Sequence, residues 1–217
     1  MTTIKENTSC QVKDLGTIDY GKAYALQKDY VNTLVQEGMQ TLILCEHPPT
    51  LTLGRSSDEK HILISQEELD KRNVSVHHID RGGDITLHAP GQLVVYPILD
   101  LANFGKDLRS YLRRLEQVAI DLLSGFDIVA SRFSGQTGVW TGKKKIASIG
   151  IGVRKWISFH GLAVNVNTDL NLFSMIKPCG LDVEMTSMSQ MIKRVIDIEE
   201  VKKKIVASFC SNFSLNI

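Results

Sequence analysis

The sequence has few of the features that mark secreted, membrane or nucleic-acid-binding proteins. Its 217 residues include only 4 cysteines, which are far apart and form no CxxC pair, so neither a disulfide framework nor a structural zinc site is expected. No apolar run approaches the roughly 20 residues of a membrane helix, and the polar N-terminal residues do not resemble a signal peptide. The 25 basic and 24 acidic residues nearly cancel, which argues against binding to nucleic acid or anionic lipid through bulk charge.

The composition that remains is that of a globular domain. Hydrophobic residues make up 43% of the chain and charged residues 23%, and a chain of this length buries about 70% of its unfolded surface, enough for a real core. We therefore expect one domain over residues 1–217, located in the cytoplasm, with no nucleic acid or membrane as a partner.

Helical and strand-like patterns alternate along this domain. Helices are predicted over residues 20–36, between a capping Asp19 and Gly38, from Ser65 to about Asn73, over residues 108–124, and from about Asp197. Strands are predicted over residues 41–46, 50–53, 74–79, 85–87, 93–99, 127–131, 139–141, 146–153 and 157–166. Because the late strands follow one another directly, they indicate hairpins. The predicted fold is α/β, with a mixed, largely antiparallel sheet packed by helices.

One segment between two predicted strands combines flexible and polar residues. It reads Arg81-Gly82-Gly83-Asp84-Ile85-Thr86-Leu87-His88. Adjacent glycines let a backbone approach a ligand closely, but they also make tight turns, and the spacing favours neither interpretation. The segment is not a GxGxxG fingerprint. Nor is the stretch over residues 138–143 a phosphate loop, because its glycines are too close together and no Ser or Thr follows Lys143.

Two further residues stand where chemistry is possible. Lys145 opens an apolar strand, where desolvation would make a lysine a usable base, although a solvated surface lysine is the commoner arrangement. Cys179 lies in the loop sequence Pro178-Cys179-Gly180, which fits an accessible nucleophile and an inert exposed thiol equally well. Cys45 and Cys210 fit packing roles, and Cys10 has no evident partner. His160 either lines a site or is a satisfied core histidine, and no histidine pattern indicates a metal.

Taken in order, these pieces resemble the lipoyl (octanoyl) transferase family. The matching pieces are Arg81 through His88 to Tyr96-Pro97, then Gly138-Val139-Trp140, Lys145-Ile146-Ala147 with Gly150, Phe159-His160-Gly161-Leu162-Ala163 with Asn165-Val166, and Phe173, Ile176 and Pro178-Cys179-Gly180. The upstream His47-Pro48 and Thr52-Leu53-Gly54-Arg55 fit as well. The resemblance covers roughly residues 15 to 200, and five motifs in register are more specific than any one of them. One departure is Ala89, where the family's loop usually has glycine.

The resemblance implies the catalytic fold of biotin and lipoate protein ligases and an activity that needs no cofactor. That activity moves an octanoyl group from octanoyl-acyl carrier protein to one lysine of a lipoyl domain. The implied acceptors are the E2 subunits of 2-oxoacid dehydrogenases and the glycine cleavage H protein. Cys179 would be the acyl acceptor and Lys145 its partner, as a base or as a thiolate stabiliser. The implied acyl pocket comprises Arg81, Gly82, Gly83, Asp84, Ile85, Thr86, Leu87, His88, Ser148, Ile149, Gly150, Gly161, Leu162 and Ala163.

Two other functions remain open at this point. A lipoate or biotin ligase shares the fold but activates a free acid with ATP, so it needs a phosphate site and no nucleophilic cysteine. A non-catalytic acyl-binding or lipoyl-domain-binding module would need neither Cys179 nor Lys145. Adenylate formation would indicate the ligase, and a failure to gain covalent mass from an acyl donor would indicate the binding module.

Overall fold

The computed structural model describes residues 8–177 and 183–217, in which eleven strands and five α-helices occur. The strands are β1 (Thr8–Thr17), β2 (Gln40–Glu46), β3 (Thr50–Leu53), β4 (Ser75–His78), β5 (Ile85–His88), β6 (Gln92–Ile98), β7 (Ser131–Phe133), β8 (Gln136–Thr141), β9 (Lys144–Arg154), β10 (Ile157–Asn165) and β11 (Leu215–Asn216). The helices are α1 (Tyr20–Glu37), α2 (Gln66–Lys71), α3 (Leu108–Ser124), α4 (Met188–Ile192) and α5 (Ile198–Phe213). None of these helices is long and apolar enough to cross a membrane.

Most strands belong to one large sheet, in the order β11-β1-β2-β6-β10-β9-β8-β7. Pairing is parallel at β11-β1-β2 and antiparallel from β2 onward, and the consecutive strands β7, β8, β9 and β10 form hairpins. A second sheet has the order β4-β3-β5, with one parallel and one antiparallel pair. The prediction of a mixed, largely antiparallel sheet is confirmed.

The helix ends follow local capping chemistry that the sequence predicts. Asp19 accepts a hydrogen bond from the amide of Lys22 at the start of α1, and Gly38 ends that helix in the left-handed conformation. Asp107 and Asp197 cap α3 and α5 in the same way, by accepting from backbone amides of the first turn. These predicted helices are therefore confirmed to within a residue or two.

Each face of the large sheet has its own core. Helices α3 and α5 cover one face, where Leu115 and Phe209 pack against alternate sheet residues such as Val95. Helix α1 covers part of the other face through Ala23 and Leu34. The small sheet has a third core and lies next to α1, where the Tyr20 ring of α1 stacks on the His88 ring of β5. A space remains between the two sheets.

Two predictions from the sequence are wrong at element level. Residues 127–130 do not form a strand, because Asp127 adopts a positive φ of 57° and the Ile128 amide donates back to the Leu123 carbonyl, which closes the end of α3. The strand there is the shorter β7. Conversely, β1 was not predicted, and its Cys10 is buried in the main core. Its position comes from parallel pairing with β2 and not from its own residue pattern.

Candidate active site

The space between the sheets is a cavity of about 350 Å³, within the range of small-molecule sites. Its floor comes from strands β6, β9 and β10 of the large sheet, and its opposite wall from the 81–88 segment of the small sheet. The lining residues are Tyr20, Arg81, Gly83, Asp84, Ile85, Thr86, His88, Val94, Tyr96, Gly135, Gln136, Thr137, Lys145, Ser148, Ile149, Gly150, His160, Gly161, Leu162, Ala163, Phe173, Val183 and Met185.

Small residues in register form the floor. Ala163 of β10 pairs with Ser148 of β9 on one side and with Val94 of β6 on the other, and two residues earlier in β10 Gly161 pairs with Gly150. A Cβ on Gly161 would collide with the Val95 carbonyl oxygen, so only glycine allows β10 to lie this close to β6. Because these residues carry little or no side chain, the floor is flat and mainly apolar.

The wall opposite the floor holds a buried cation. Arg81 is only 7% exposed. Its Nη2 donates to the Thr52 carbonyl and hydroxyl oxygens at 2.7 and 3.0 Å, and its Nη1 donates to the Gly82 carbonyl at 3.0 Å. These contacts fix the guanidinium group. The Arg81 side chain also packs on β9, since a Cβ added to Gly150 would lie 2.9 Å from Arg81 Cδ. The Oδ2 atom of Asp84, a residue that is also 7% exposed, lies 2.7 Å from the Nδ1 atom of His61.

Two buried histidines, His88 and His160, line the cavity, and a third, His47, lies against His88. Burial, together with neighbouring positive groups, lowers the pKa of His88 to about 3. Burial likewise lowers the pKa of His160 to about 4, although the Asp80 carboxylate opposes the effect. The pKa of His47 is also lowered by burial. All three imidazoles are therefore neutral at physiological pH.

Each neutral ring has defined partners. His160 lies 3.1 Å from Asp80 through Nε2 and 3.5 Å from the Tyr20 hydroxyl through Nδ1. His47 donates from Nδ1 to the Ile18 carbonyl, so its Nε2 accepts from the Tyr96 hydroxyl at 2.7 Å. These bonds hold the two phenols in the cavity wall.

Lys145 enters the cavity from β9 through a gap that Gly138 leaves in β8. A Cβ at Gly138 would lie 2.7 Å from Lys145 Cε, so any side chain there would displace the lysine. The Lys145 ammonium lies 5.1 Å from the centre of the Trp140 ring, which is a cation–π distance. The Lys145 backbone bonds to Glu184 and Thr186, which fixes the segment after residue 182 beside it.

The structure brings together most of the residues that the resemblance placed in the site. The cavity is lined by Arg81, by Gly83–His88 except Leu87, by Lys145 and by all the predicted residues of β9 and β10. Leu87 does not line the cavity: it lies on the opposite side of β5 from Thr86 and His88 and packs in the core of the small sheet with Ile85, which itself reaches the cavity at the start of the strand. Gly82 does not line the cavity either, but it ties the wall to β9 through its amide. Cys179 lies outside the described residues.

Several lining residues were not predicted. Tyr20, Val183 and Met185 carried no local sign of a site, whereas Val94 and Phe173 stood in matching motifs without an assigned role. Tyr96 stood in a matching motif without an assigned role. His160, left open between two roles, is 2% exposed and fulfils both, since it is bonded and lines the cavity.

The basic residues beside Lys145 differ from one another. Lys143 is exposed in the turn between β8 and β9, as expected of a solvated lysine. Lys144 forms an ion pair with Glu184 and is only partly exposed. It is therefore less available to a partner than its position in the sequence indicates.

Comparisons with known proteins agree with this geometry. Residues 19–210 match the model of the lipoyl protein ligase A/B catalytic domain. The chain is 45% identical to the octanoyltransferase of Syntrophotalea carbinolica over 93% of each chain, and 43% identical to that of Bacteroides fragilis over 88% of this chain and 92% of that one.

Solved structures share the fold at low sequence identity. A lipoate-protein ligase A bound with ATP superposes with a TM-score of 0.76 at 15% identity, covering 97% of this chain and 87% of that one. A biotin protein ligase from Aquifex aeolicus in complex with biotin and ATP gives 0.57 at 15% identity, covering 95% and 71%. The expected relation to both kinds of ligase fold is confirmed.

The chain therefore belongs to the lipoyl protein ligase A/B catalytic domain family. Within that family its curated relatives at 38–45% identity are octanoyltransferases, and the chain is an acyltransferase of this kind.

Proposed function

We propose that the protein moves an octanoyl group from octanoyl-acyl carrier protein to a lysine of a lipoyl domain, through a thioester on Cys179 with Lys145 assisting. The observation that carries the proposal is Lys145 itself, which projects into a cavity with a flat apolar floor. The chain on either side of Cys179 is also held at this cavity. Phe173 and Val183 both line it, and the Lys177 amide donates to the His61 carbonyl at 2.8 Å.

The first half-reaction exchanges one thioester for another. The Cys179 thiolate attacks the carbonyl carbon of the carrier's thioester, a new C–S bond forms, and the carrier leaves as a thiolate that takes up a proton. The two thioesters are close in free energy, so this step needs no ATP. It does need a thiolate, because a free cysteine with a pKa near 8.5 is only a few per cent ionised at neutral pH. A nearby ammonium such as that of Lys145 favours the ionised form.

The second half-reaction forms an amide and is downhill. The acceptor lysine must arrive as a neutral amine, whose nitrogen attacks the Cys179 thioester. A C–N bond forms, the C–S bond breaks, and the amine loses one proton. Lys145 in its neutral form can take that proton, while the Cys179 thiolate is regenerated. The two roles considered for Lys145 thus belong to different steps.

The acceptors we propose are the lipoyl domains of 2-oxoacid dehydrogenase E2 subunits and of the glycine cleavage H protein. A solved relative of the fold is described as a bipartite lipoate protein ligase with its E2 lipoyl domain, which supports an acceptor of that class. ATP-using ligases resemble this chain only in fold, whereas its relatives in sequence are transferases, which favours the transferase over the ligase.

Intact-mass spectrometry after mixing with octanoyl-acyl carrier protein tests the proposal. The wild type should gain one octanoyl group and lose it when a lipoyl domain is added. Cys179→Ser should fold but gain no stable group, because a hydroxyl is far less ionised than a thiol. Cys210→Ser, at a half-buried thiol of α5, is the matched control and should behave as wild type.

Two outcomes would contradict the proposal. One is product formation by Cys179→Ser at the wild-type rate, which would exclude the thioester on this residue. The other is formation of an octanoyl adenylate from free octanoate and ATP, which would indicate a ligase. If wild type binds the carrier but neither gains mass nor forms product, the non-catalytic module is the better description.

A further inference from the structure

A row of hydrogen bonds connects the backbone of Lys145 with the ring of His88, two residues that both line the cavity. The Thr186 amide donates to the Lys145 carbonyl at 2.9 Å, and the Thr186 carbonyl accepts from Asn165 Nδ2 at 2.9 Å. Asn165 Oδ1 accepts from Gln92 Nε2 at 2.9 Å, and Gln92 Oε1 contacts His88 Nδ1 at 2.7 Å. The last three side chains are 1%, 2% and 7% exposed, so water does not replace these bonds.

The direction of each side-chain hydrogen bond in this row follows from the Thr186 carbonyl. A backbone carbonyl can only accept, so the Asn165 nitrogen faces Thr186 and its oxygen faces Gln92. The Gln92 nitrogen donates to that oxygen and also to the Leu87 carbonyl at 3.2 Å. The Gln92 oxygen therefore faces His88, and His88 must carry its proton on Nδ1.

The other ring nitrogen of His88 is consequently an acceptor. Because burial holds the pKa of His88 at about 3, the ring stays neutral and Nε2 keeps its lone pair. His88 lines the cavity, with its ring stacked on Tyr20 at a centroid distance of 5.9 Å. Among the described residues Nε2 has no hydrogen-bond partner, so its lone pair is available to a ligand in the cavity.

We propose that His88 Nε2 accepts a hydrogen bond from the ε-amine of the acceptor lysine and so orients that amine for attack on the acyl-enzyme. The inference rests on the proposed function and adds a substrate-contacting residue to its second step. Neither the octanoyl chain nor a thioester contains a hydrogen-bond donor, whereas the attacking amine does. Holding one N–H turns the nitrogen lone pair toward the carbonyl carbon.

His88 orients the amine and does not remove its proton. An imidazole with so low a pKa is a poor base, so the proton still passes to neutral Lys145 as the C–N bond forms and the C–S bond breaks. His88 and Lys145 both line the cavity of about 350 Å³, and the proposal places the substrate amine between them. Gln92 and Asn165 act through His88 and are positioning residues.

Separating the two half-reactions tests the role of His88. In rapid-quench mass spectrometry, His88→Phe should form acyl-enzyme within about threefold of the wild-type rate, while octanoyl transfer to a lipoyl domain falls at least tenfold, which corresponds to about 1.4 kcal/mol. His88→Gln, which can offer a carbonyl oxygen to the cavity, should recover part of the transfer rate. Unchanged transfer in His88→Phe, or equal slowing of both half-reactions, would overturn the inference.

The state of the His88 ring provides a second, independent readout. In ¹⁵N NMR spectra of wild type, His88 should be protonated on Nδ1, and Gln92→Leu should shift the proton to Nε2 and slow transfer. Gln40→Leu is the matched control, because Gln40 is a fully buried glutamine of β2 whose side-chain amide has no hydrogen-bond partner among the described residues. It should change neither the ring nor the rate.

The outcomes distinguish the inference from the proposed function. A Gln92→Leu protein that keeps the Nδ1 proton, or that shifts it without slowing transfer, would overturn the inference. If Gln92→Leu does not fold, Asn165→Leu removes the next bond in the row and is judged by the same two readouts. Absence of acyl-enzyme in wild type would instead contradict the proposed function.

Discussion

Lys145 and Gly138 show how a single residue can make room for another. Lys145 has an apolar stem and a charged end, and it can reach the cavity only because Gly138, on the adjacent strand, has no Cβ. The Lys145 ammonium nitrogen lies 5.1 Å from the centre of the Trp140 ring. The Gly-Val-Trp motif is thus explained by the lysine it accommodates.

Replacing Lys145 should separate its two proposed roles. Lys145→Met removes the charge but keeps the apolar stem, so both acyl-enzyme formation and transfer should be lost. Lys145→Arg keeps the charge but cannot act as a base, so some acylation and little transfer should remain. The check is the pH dependence of Cys179 alkylation by iodoacetamide, in a protein whose other cysteines are replaced.

The alkylation midpoint in wild type should lie about one pH unit below the ordinary 8.5 and rise in Lys145→Met. An unchanged midpoint in that variant would contradict the coupling of the two residues. Lys145 would then have no part in activating the thiol.

A second prediction concerns the gap that Gly138 leaves. Gly138→Ala should slow transfer strongly, because its Cβ would lie 2.7 Å from Lys145 Cε and from the Ala147 carbonyl oxygen. Gly142→Ala is the matched control: Gly142 also has a positive φ, of 58°, but nothing lies within 4 Å of the added Cβ. Both variants should lose about 1 kcal/mol or more of stability from backbone strain. Only Gly138→Ala should lose activity beyond that, and equal activities would contradict the steric argument.

At the scale of elements, helix α3 holds the edge of the sheet that carries this gap. Glu116, 1% exposed, accepts hydrogen bonds from Arg113 and Arg132 at 2.7 and 3.0 Å and from the Gly138 amide at 3.3 Å. One buried carboxylate thereby joins α3 to β7 and β8. The position of Lys145 depends on this helix although the two do not belong to neighbouring elements in sequence.

Glu116→Gln should therefore affect both stability and transfer. The amide keeps the shape but loses the charge and one acceptor, so unfolding in urea should show a loss of about 1–3 kcal/mol. Transfer should slow because Gly138 is held less firmly. Glu68→Gln, in an exposed ion pair with Arg72, is the control and should cost less than about 0.5 kcal/mol without loss of activity. If the two variants behave alike, the link through α3 is not needed.

At the scale of the whole molecule, the cavity results from two sheets that meet face to face. The 81–88 segment supplies one wall, β9 and β10 supply the other, and α1 closes an end through Tyr20. The three buried neutral histidines come from different elements, so their common environment exists only in the folded protein. In the folded protein these imidazoles therefore stay neutral at pH values at which they would bind protons in the unfolded chain.

This linkage predicts acid sensitivity. The pKa values of His88 and His160 are about 3 and 4 in the folded protein, against an ordinary 6.5, so between these values the unfolded chain binds more protons. Stability should thus be complete above pH 6.5 and fall as the pH drops toward 4, by up to about 1.4 kcal/mol per pH unit for each histidine.

Urea unfolding at a series of pH values measures this slope. His88→Gln should flatten it between pH 6.5 and 4, and His78→Gln, at an exposed side chain, should leave it as in wild type. An equal slope in all three proteins would show that His88 is not kept neutral by the fold.

The sequence alone determined the features that depend on neighbouring residues. Capping aspartates and periodic apolar residues predicted α1, α3 and α5, since helix ends and helix faces are decided within a few residues. The order of motifs likewise indicated the family, and most of the pocket residues they contain do line one cavity.

Only the tertiary structure decided the features that depend on distant contacts. Strand β1 exists because it pairs with β2, and Leu87 is buried in the core of the small sheet instead of lining the cavity. The orientation of His88 depends on Gln92, Asn165 and Thr186, which are up to 98 positions away in the sequence. No local pattern contains such information, because hydrogen-bond direction and burial are set by packing between elements that are distant in the sequence.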